Sequence, residues 1–434
     1  MVIFVYKFSR LKYISQMNLF QKALFFIPIS FSLVTATQAV PNPLKMEEKT
    51  FSPFKKWRGV FTIKPGVEVP FNFEITGNNN KNAQAFFING QERFNAGRIS
   101  WTKDSLFIYI DQFENELAFA INENGTLHGN FRKQTTKNNV YPVTATANEN
   151  FRFTQPSQAP AKDISGTYDV TIGQPNGKEE KAVGLFTQDG NTLQASFLRV
   201  TGDSRFLDGV VDGDKFYLSS FIGSGVSYYT GTITNNGITG QIIGARSNTN
   251  FTATENEEAA LPDAYTLTTL KQGYDALSFS FPDVNGKQVS LNDSQFKNKV
   301  VILSITGSWC PNCYDEASFL SDWYKQNKQR GVEVIALHYE RQTDAAFVKK
   351  ALTGFKNKLG ITYTQLFAGI ADKQQVALSL PALNTFLAFP TTIIIDKQGK
   401  VAKIHTGYSG PATGKFYDAF VQEFNDEVNK LIQQ

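Results

Sequence analysis

A chain of 434 residues is longer than one ordinary hydrophobic core supports, so two or three domains are expected. Hydrophobic residues make up 41% and aromatics 13%, which excludes wholesale disorder. The formal net charge is +4, but Lys7, Arg10, Lys12 and Lys22 all fall in the first 39 residues, which hold no acid. The remainder is near neutral, and no charge argument favours nucleic acid or an anionic membrane surface.

Lys22 precedes an apolar run from Ala23 to Val34, followed by Thr37-Gln38-Ala39 as a small-residue cleavage site. Residues 1–39 therefore read as an export signal, with Met17 a candidate natural start. The run is short for a bilayer span; an uncleaved N-terminal membrane anchor is the alternative. No cysteine follows it, which excludes a lipoprotein anchor. Export to a periplasm or cell envelope places the two cysteines in an oxidising compartment, where they pair or do redox work.

Residues 50–255 read as all-β. Phe71, Phe73 and Ile75 alternate, as do Leu106, Ile108 and Ile110, and later Phe216 and Leu218. Turn signals recur at Asn78-Asn79-Asn80, Asn89-Gly90, Asn124-Gly125, Asp189-Gly190, Asp212-Gly213 and Asn236-Gly237. An internal repeat is visible. Trp57-Arg58-Gly59-Val60-Phe61 matches Ile164-Ser165-Gly166-Thr167-Tyr168, Asp104–Tyr109 matches Asp214–Ser219, and Asn124–Gly129 matches Asn236–Gly240. Two β modules, 50–155 and 163–255, are expected, joined by a linker at Gln155–Pro160; one larger barrel is the alternative. Trp57, Trp101 and the many Phe and Tyr are read as core.

After an acidic stretch at Glu255–Glu258, residues 275–434 change character. Phe279 to Val289 reads as a hairpin, and Val300–Ile305 as a strand buried on both faces. A helix from Cys310 to about Gln329 follows, with Gly331 beyond its end. Val332–Leu337 is the next strand, and Thr343 can cap a helix carrying Phe347, Ala351 and Phe355 to a stop at Gly360. Strands at Thr391–Ile395 and Val401–Ile404 precede a final amphipathic helix through Phe416, Phe420, Phe424 and Leu431.

The chain's only cysteines, Cys310 and Cys313, sit where the buried strand hands over to a helix. At a helix N-terminus the first sulfur meets unpaired N–H groups and the positive end of the dipole, which favour a thiolate. The second, one turn in, is placed to attack a mixed disulfide at the first. Cys310 is thus the candidate nucleophile and Cys313 the resolving thiol. Zinc would need four ligands, and His128, His338 and His405 are scattered. A staple closing so short a loop would remove little chain entropy. Glu316 shares the helix face of Cys313, so partial burial and a raised pKa are expected, suited to exchanging that thiol's proton. Phe389-Pro390-Thr391 enters the strand 391–395. A cis proline there would set this backbone beside the cysteines and expose a strand edge to an extended substrate; from periodicity alone, trans fits equally.

These residues resemble the thioredoxin-like disulfide oxidoreductases of the TlpA and ResA type, over about residues 277–430. The likeness rests on Phe281-Pro282-Asp283 with Gly286-Lys287, Lys299-Val300-Val301, Trp309-Cys310-Pro311-Asn312-Cys313 with Glu316, Phe389-Pro390-Thr391-Thr392, and Asp396 with Gly399. It implies a C-terminal α/β thioredoxin-like fold, a cis Pro390, and Glu316 as the family's active-site glutamate. Thioredoxins carry a buried Asp six residues before the first cysteine; here that position is Ser304. Leu380–Asn384 and His405–Pro411 are similar to a Bacteroidota-type subgroup with duplicated β domains. The N-terminal half is loosely similar to lipocalin-like modules.

The expected function is an exported thiol-disulfide oxidoreductase acting on protein thiols, reductive by analogy, with no cofactor beyond the Cys310–Cys313 couple. Trp309, Pro311, Phe389, Pro390 and Thr391 would contact substrate, a membrane electron donor would re-reduce the dithiol, and the β modules would hold an unknown envelope ligand. One alternative is a thiol peroxidase, although Gly307 stands where such enzymes carry Thr. The other is an envelope ligand-binding protein with a subordinate redox domain.

Overall fold

The computed structural model describes residues 51–434 apart from Pro175. The apolar run 23–34 and the cleavage site at 37–39 lie outside the described residues. Among the described residues no helix is long and apolar enough to cross a membrane.

Residues 56–255 form two antiparallel sheets of nine strands each. In the first, the opening strand Lys56–Lys64 pairs both with Val67–Thr76 and with the last strand, Asn139–Ala147. Strand alternation turns Trp57, Phe61, Phe71 and Phe73 into one interior. The sheet's two end strands, Glu92–Gly97 and Ile99–Trp101, meet at Arg98, whose carbonyl accepts the Tyr109 N–H at 2.8 Å. That contact needs a glycine beside it. A Cβ on Gly97, at φ 129°, would lie 2.3 Å from the Tyr109 carbonyl oxygen. In the second sheet Gly166–Gly173 pairs with Glu179–Asp189 and with the last strand, Asn248–Glu255. Glu179–Asp189 also pairs with Thr192–Arg199, which closes the ring.

The two sheets are welded together. Phe221, from the second, enters the first sheet's interior, 4.8 Å from Phe61, 4.7 Å from Phe87 and 5.3 Å from Phe131 between ring centroids. Arg152 does the reverse. Its guanidinium reaches Asp208 at 2.9 Å and Ser219 at 3.1 Å in the second sheet while donating to the Ile88 carbonyl in the first. The expected linker at 155–160 is no free tether either. The Asp212 carboxylate accepts the N–H groups of Ser157 and Gln158 at 2.9 and 2.7 Å and holds that segment on the second sheet.

The C-terminal part has a hairpin, Ser280–Pro282 with Gln288–Ser290, and a five-stranded sheet. Its strands are β1 (Val300–Thr306), β2 (Val332–Glu340), β3 (Thr364–Ile370), β4 (Thr391–Ile395) and β5 (Val401–Thr406), in the order β3-β2-β1-β4-β5. β1, β2 and β3 run parallel; β4 and β5 are antiparallel additions. The helices are α1 (Pro311–Asn327), α2 (Ala345–Leu359), α3 (Lys373–Ser379) and α4 (Lys415–Gln433). Every residue of β1 is buried. Val300 and Ile302 pack with Leu320 of α1 and Phe424 of α4, while Val301, Leu303 and Ile305 pack with Phe279 and Val376 in the opposite layer. This is the thioredoxin-like order.

Several boundaries move. Helix α1 begins at Pro311, because Cys310 keeps an extended backbone, and it ends at Asn327, followed by a 3-10 turn before Gly331. The cap of α2 is Asp344, whose carboxylate accepts the Phe347 N–H, not Thr343. Its buried stripe is Val348, Leu352 and Phe355, so of the expected set only Phe355 is in the core. Strand β3 and helix α3 were not anticipated.

Candidate functional site

Cys310 caps α1, with φ −99° and ψ 122°, and Pro311 takes the first helical position, where no N–H is needed. The Cys310 sulfur accepts the Cys313 N–H at 3.4 Å, and its thiol faces the Phe389 carbonyl oxygen at 3.7 Å. Both thiols are free. Cys310 retains 7% exposure and Cys313 none. Burial pushes the Cys313 thiol well above its usual range, and the neighbouring Cys310 and Glu316 push it further.

Glu316 is 1% exposed on the same face of α1. Ser304 of β1 and Thr392 of β4 each donate a hydroxyl to its carboxylate at 2.5 Å. Burial nonetheless raises its pKa to about 7, the two hydroxyls opposing. A folded-state pKa above the unfolded value means that the stability tied to this group is complete below about 4.5 and is lost as pH rises through about 7. Glu316→Gln is therefore expected to gain about 1–3 kcal/mol over the native chain at pH 8 and almost nothing at pH 4.5. Urea unfolding at the two pH values checks this, and an equal effect at both would show that Glu316 titrates normally.

Trp309 donates its indole N–H to the Tyr339 carbonyl at 2.9 Å and meets Phe389 edge-on at 5.5 Å. The Arg341 guanidinium lies over its ring at 4.9 Å. The Phe389–Pro390 bond is cis. Thr391 stands apart from the other expected contacts. It is fully buried, donates its hydroxyl to the Ala388 carbonyl at 2.8 Å, and pairs with β1 on one side and β5 on the other. The strand edge expected there is therefore already occupied; only the unpaired backbone through Phe389 faces Cys310.

The structure adds residues the sequence did not single out. Residues 200–206 of the second β sheet lie across the start of α1. The Asn312 side chain, oriented by its partners, pairs with the Asp203 backbone at 2.6 and 3.3 Å. Arg205 donates to the Pro311 carbonyl at 3.4 Å, to Glu92 at 2.5 Å and to Asp315, tying both sheets to α1. The Asp203 carboxylate accepts the N–H groups of Arg205 and Gly410, both at 2.6 Å. Gly202 was the one available signal, since a Cβ there would collide with the Asn312 side chain. Among the described residues no cluster of His, Cys, Asp or Glu has metal-binding geometry.

The AhpC/TSA family model matches residues 272–404. Thiol-disulfide oxidoreductase ResA of Bacillus subtilis (strain 168) is 31% identical over 138 residues, covering 32% of this chain and 69% of that protein. ResA of Bacillus thuringiensis (strain Al Hakam) is 33% identical over 131 residues, 30% of this chain and 67% of that one. A putative thiol:disulfide interchange protein DsbE from Chlorobium tepidum, whose structure is solved, is 24% identical over 37% of this chain and 99% of its own, with a TM-score of 0.29. With a dithiol at the head of α1 and this similarity across two thirds of the ResA proteins, the chain belongs to the TlpA/ResA-like redoxins and is a thiol-disulfide oxidoreductase.

Proposed function

We propose that the protein is exported and reduces disulfides of other proteins, with Cys310 as nucleophile, Cys313 as resolving thiol and Glu316 as the proton acceptor between them. The observation that carries this reading is the pairing of unequal thiols. Cys310 is buried but keeps 7% exposure, while Cys313 is sealed beside a carboxyl poised at about pH 7. The Cys310 thiolate attacks one sulfur of the substrate disulfide, forming a mixed disulfide and releasing the first substrate thiolate. Cys313 then loses its proton to Glu316 and attacks the Cys310 sulfur. The Cys310–Cys313 bond forms, the second substrate thiolate leaves, and Glu316 returns the proton. Two electrons pass from the dithiol to the substrate, so a membrane electron donor is needed to restore it. Trp309, Phe389 and cis-Pro390 would flank the substrate, with Pro311 contributing only the part that residues 200–206 leave uncovered; Thr391 would act only through its backbone.

We further read the two β sheets as copies of one module, a reading supported by the opening strand of each pairing with both the second and the last. The reductive direction is tested by the reduction potential of Cys310–Cys313, measured by equilibrating the protein in dithiol buffers. A value near about −270 mV is expected, and one near about −120 mV, typical of a strong dithiol oxidant, would reverse the direction. Rapid peroxide consumption by the reduced protein would instead make it a peroxidase.

A further inference from the structure

A cleft of about 1020 Å³ lies between the first β sheet and α2 and reaches Ser308 and Trp309, the two residues before Cys310. That is at the upper end of the about 300–1,000 Å³ usual for ligand pockets. Neither cysteine lines it; the cleft ends at the residues that lead into the dithiol. The loop 200–206 already covers α1 at Pro311 and Asn312, so the cleft is the open approach from the β side.

Its charge is lopsided. Five cations and three acids line it. Arg98 and Asp111 neutralise each other through two hydrogen bonds at 2.9 and 3.1 Å. Glu340 is buried and spends its carboxylate on the Ser308 N–H and hydroxyl, at 2.9 and 2.7 Å. Glu114 then faces Lys133, and Asp111, though bonded to Arg98, also attracts Lys350 and Lys358, so two acids stand against Lys133, Arg341, Lys350 and Lys358. Among the described residues none of these four makes a salt bridge. Lys358 is half-sunk, donating only to the carbonyl and side-chain oxygens of Asn95 at 2.7 and 3.0 Å, and burial pushes its pKa down to about 8. Burial and the nearby Arg341 likewise lower Lys133. Lys133 and Lys358 are half-buried while Arg341 and Lys350 are exposed, and like charges gathered around one cleft repel unless an anion joins them. Phe347 and Ala351 of α2 add apolar wall between the cations, which suits a polypeptide better than a bare ion.

We infer that this cleft receives the substrate chain, and that its preferred occupant is an acidic polypeptide segment adjoining the disulfide presented to Cys310. This rests on the oxidoreductase reading above and adds to it the substrate class. The four cations, none held in a salt bridge, attract carboxylates, and Trp309 with Arg341 marks the end of the cleft where the disulfide must arrive.

The test uses two disulfide-bridged peptides of equal length, one flanked by Glu and the other by Lys, with hydroxyethyl disulfide as a neutral reference. At low salt the Glu peptide is expected to show a kcat/KM at least about 10-fold above the Lys peptide, carried by KM, and the ratio should collapse at high salt. In a Lys133→Glu/Lys350→Glu variant, with each rate referred to hydroxyethyl disulfide in the same variant, the ratio should vanish or invert. Equal kcat/KM for both peptides, or a preference that survives charge reversal, overturns the inference. Glutathione disulfide turned over as efficiently as the Glu peptide would overturn its polypeptide part. Failure to reduce even hydroxyethyl disulfide would overturn the oxidoreductase reading together with it.

Discussion

A Cys313→Ser variant is expected to stop halfway, accumulating a stoichiometric mixed disulfide on Cys310 while turnover falls by about three orders of magnitude or more. A Cys310→Ser variant should lose turnover to the same extent and form no adduct at all. The asymmetry follows from access: Cys310 keeps 7% exposure at the N-cap of α1, whereas Cys313 has none and cannot meet a substrate sulfur directly. Intact-protein mass spectrometry after mixing each variant with a disulfide peptide reads the result. An adduct on the Cys310→Ser protein and none on the Cys313→Ser protein would reverse the assigned roles. Acidity separates the two half-reactions further. If Glu316 takes the Cys313 proton, native turnover should rise as pH passes through about 7, where the carboxyl becomes a base. Adduct formation by Cys313→Ser skips that step, so it should lack this limb, and Glu316→Gln should lose the limb from turnover.

What was legible in the sequence was local. The run Val300–Ile305 announced a strand buried on both faces, the turn after it placed Cys310 at a helix start, and three-residue spacing put Glu316 on the Cys313 face. Helix α2 shows where local reasoning stops. Its apolar residues form two stripes one position apart, Phe347-Ala351 and Val348-Leu352, with Phe355 common to the spacing of both. Packing chose the second for the core and turned the first to the cleft. Strand β3 escaped notice because an edge strand half-open to solvent need not keep a clean apolar run, and Thr364–Ile370 does not. The second sheet's loop over Asn312 had no local signature, since it brings together residues more than a hundred positions apart. Thr391 is a related case: residues 391–395 and 401–404 both read as strands, but the pairing of Thr391 with β1 on one side and β5 on the other is tertiary and leaves no local pattern.

That loop makes the other large prediction. Arg205 is a single, nearly buried cation serving Glu92 of the first sheet and Asp315 of α1, with Asp203 beside it. Burial opposes its charge, but Asp315 and Glu92 outweigh that and hold its pKa above the usual value. The acids outnumber it. Burial raises Asp315 to about 6, with Asp203 and Glu92 adding to the rise and Arg205 opposing it. Arg205→Met leaves those carboxylates buried without a cation, a loss of about 3–5 kcal/mol at pH 8. The sign with pH is fixed by Asp315: its raised folded pKa means stability is complete below about 3.8 and falls as pH rises through about 6. Losing Arg205 should steepen that fall, so native and variant should converge in acid and diverge in base, as read from unfolding midpoints across the range. A triple variant, Arg205→Met with Glu92→Gln and Asp315→Asn, should recover most of the loss, because the uncompensated charges go with the cation. Chemistry at Cys310 provides the independent readout. Freed from Arg205, residues 200–206 should lift from Pro311 and Asn312, and alkylation of Cys310 should accelerate in the single variant. Unchanged alkylation together with an unchanged midpoint at pH 8 would mean that Arg205 fastens neither the loop nor the sheets to the dithiol.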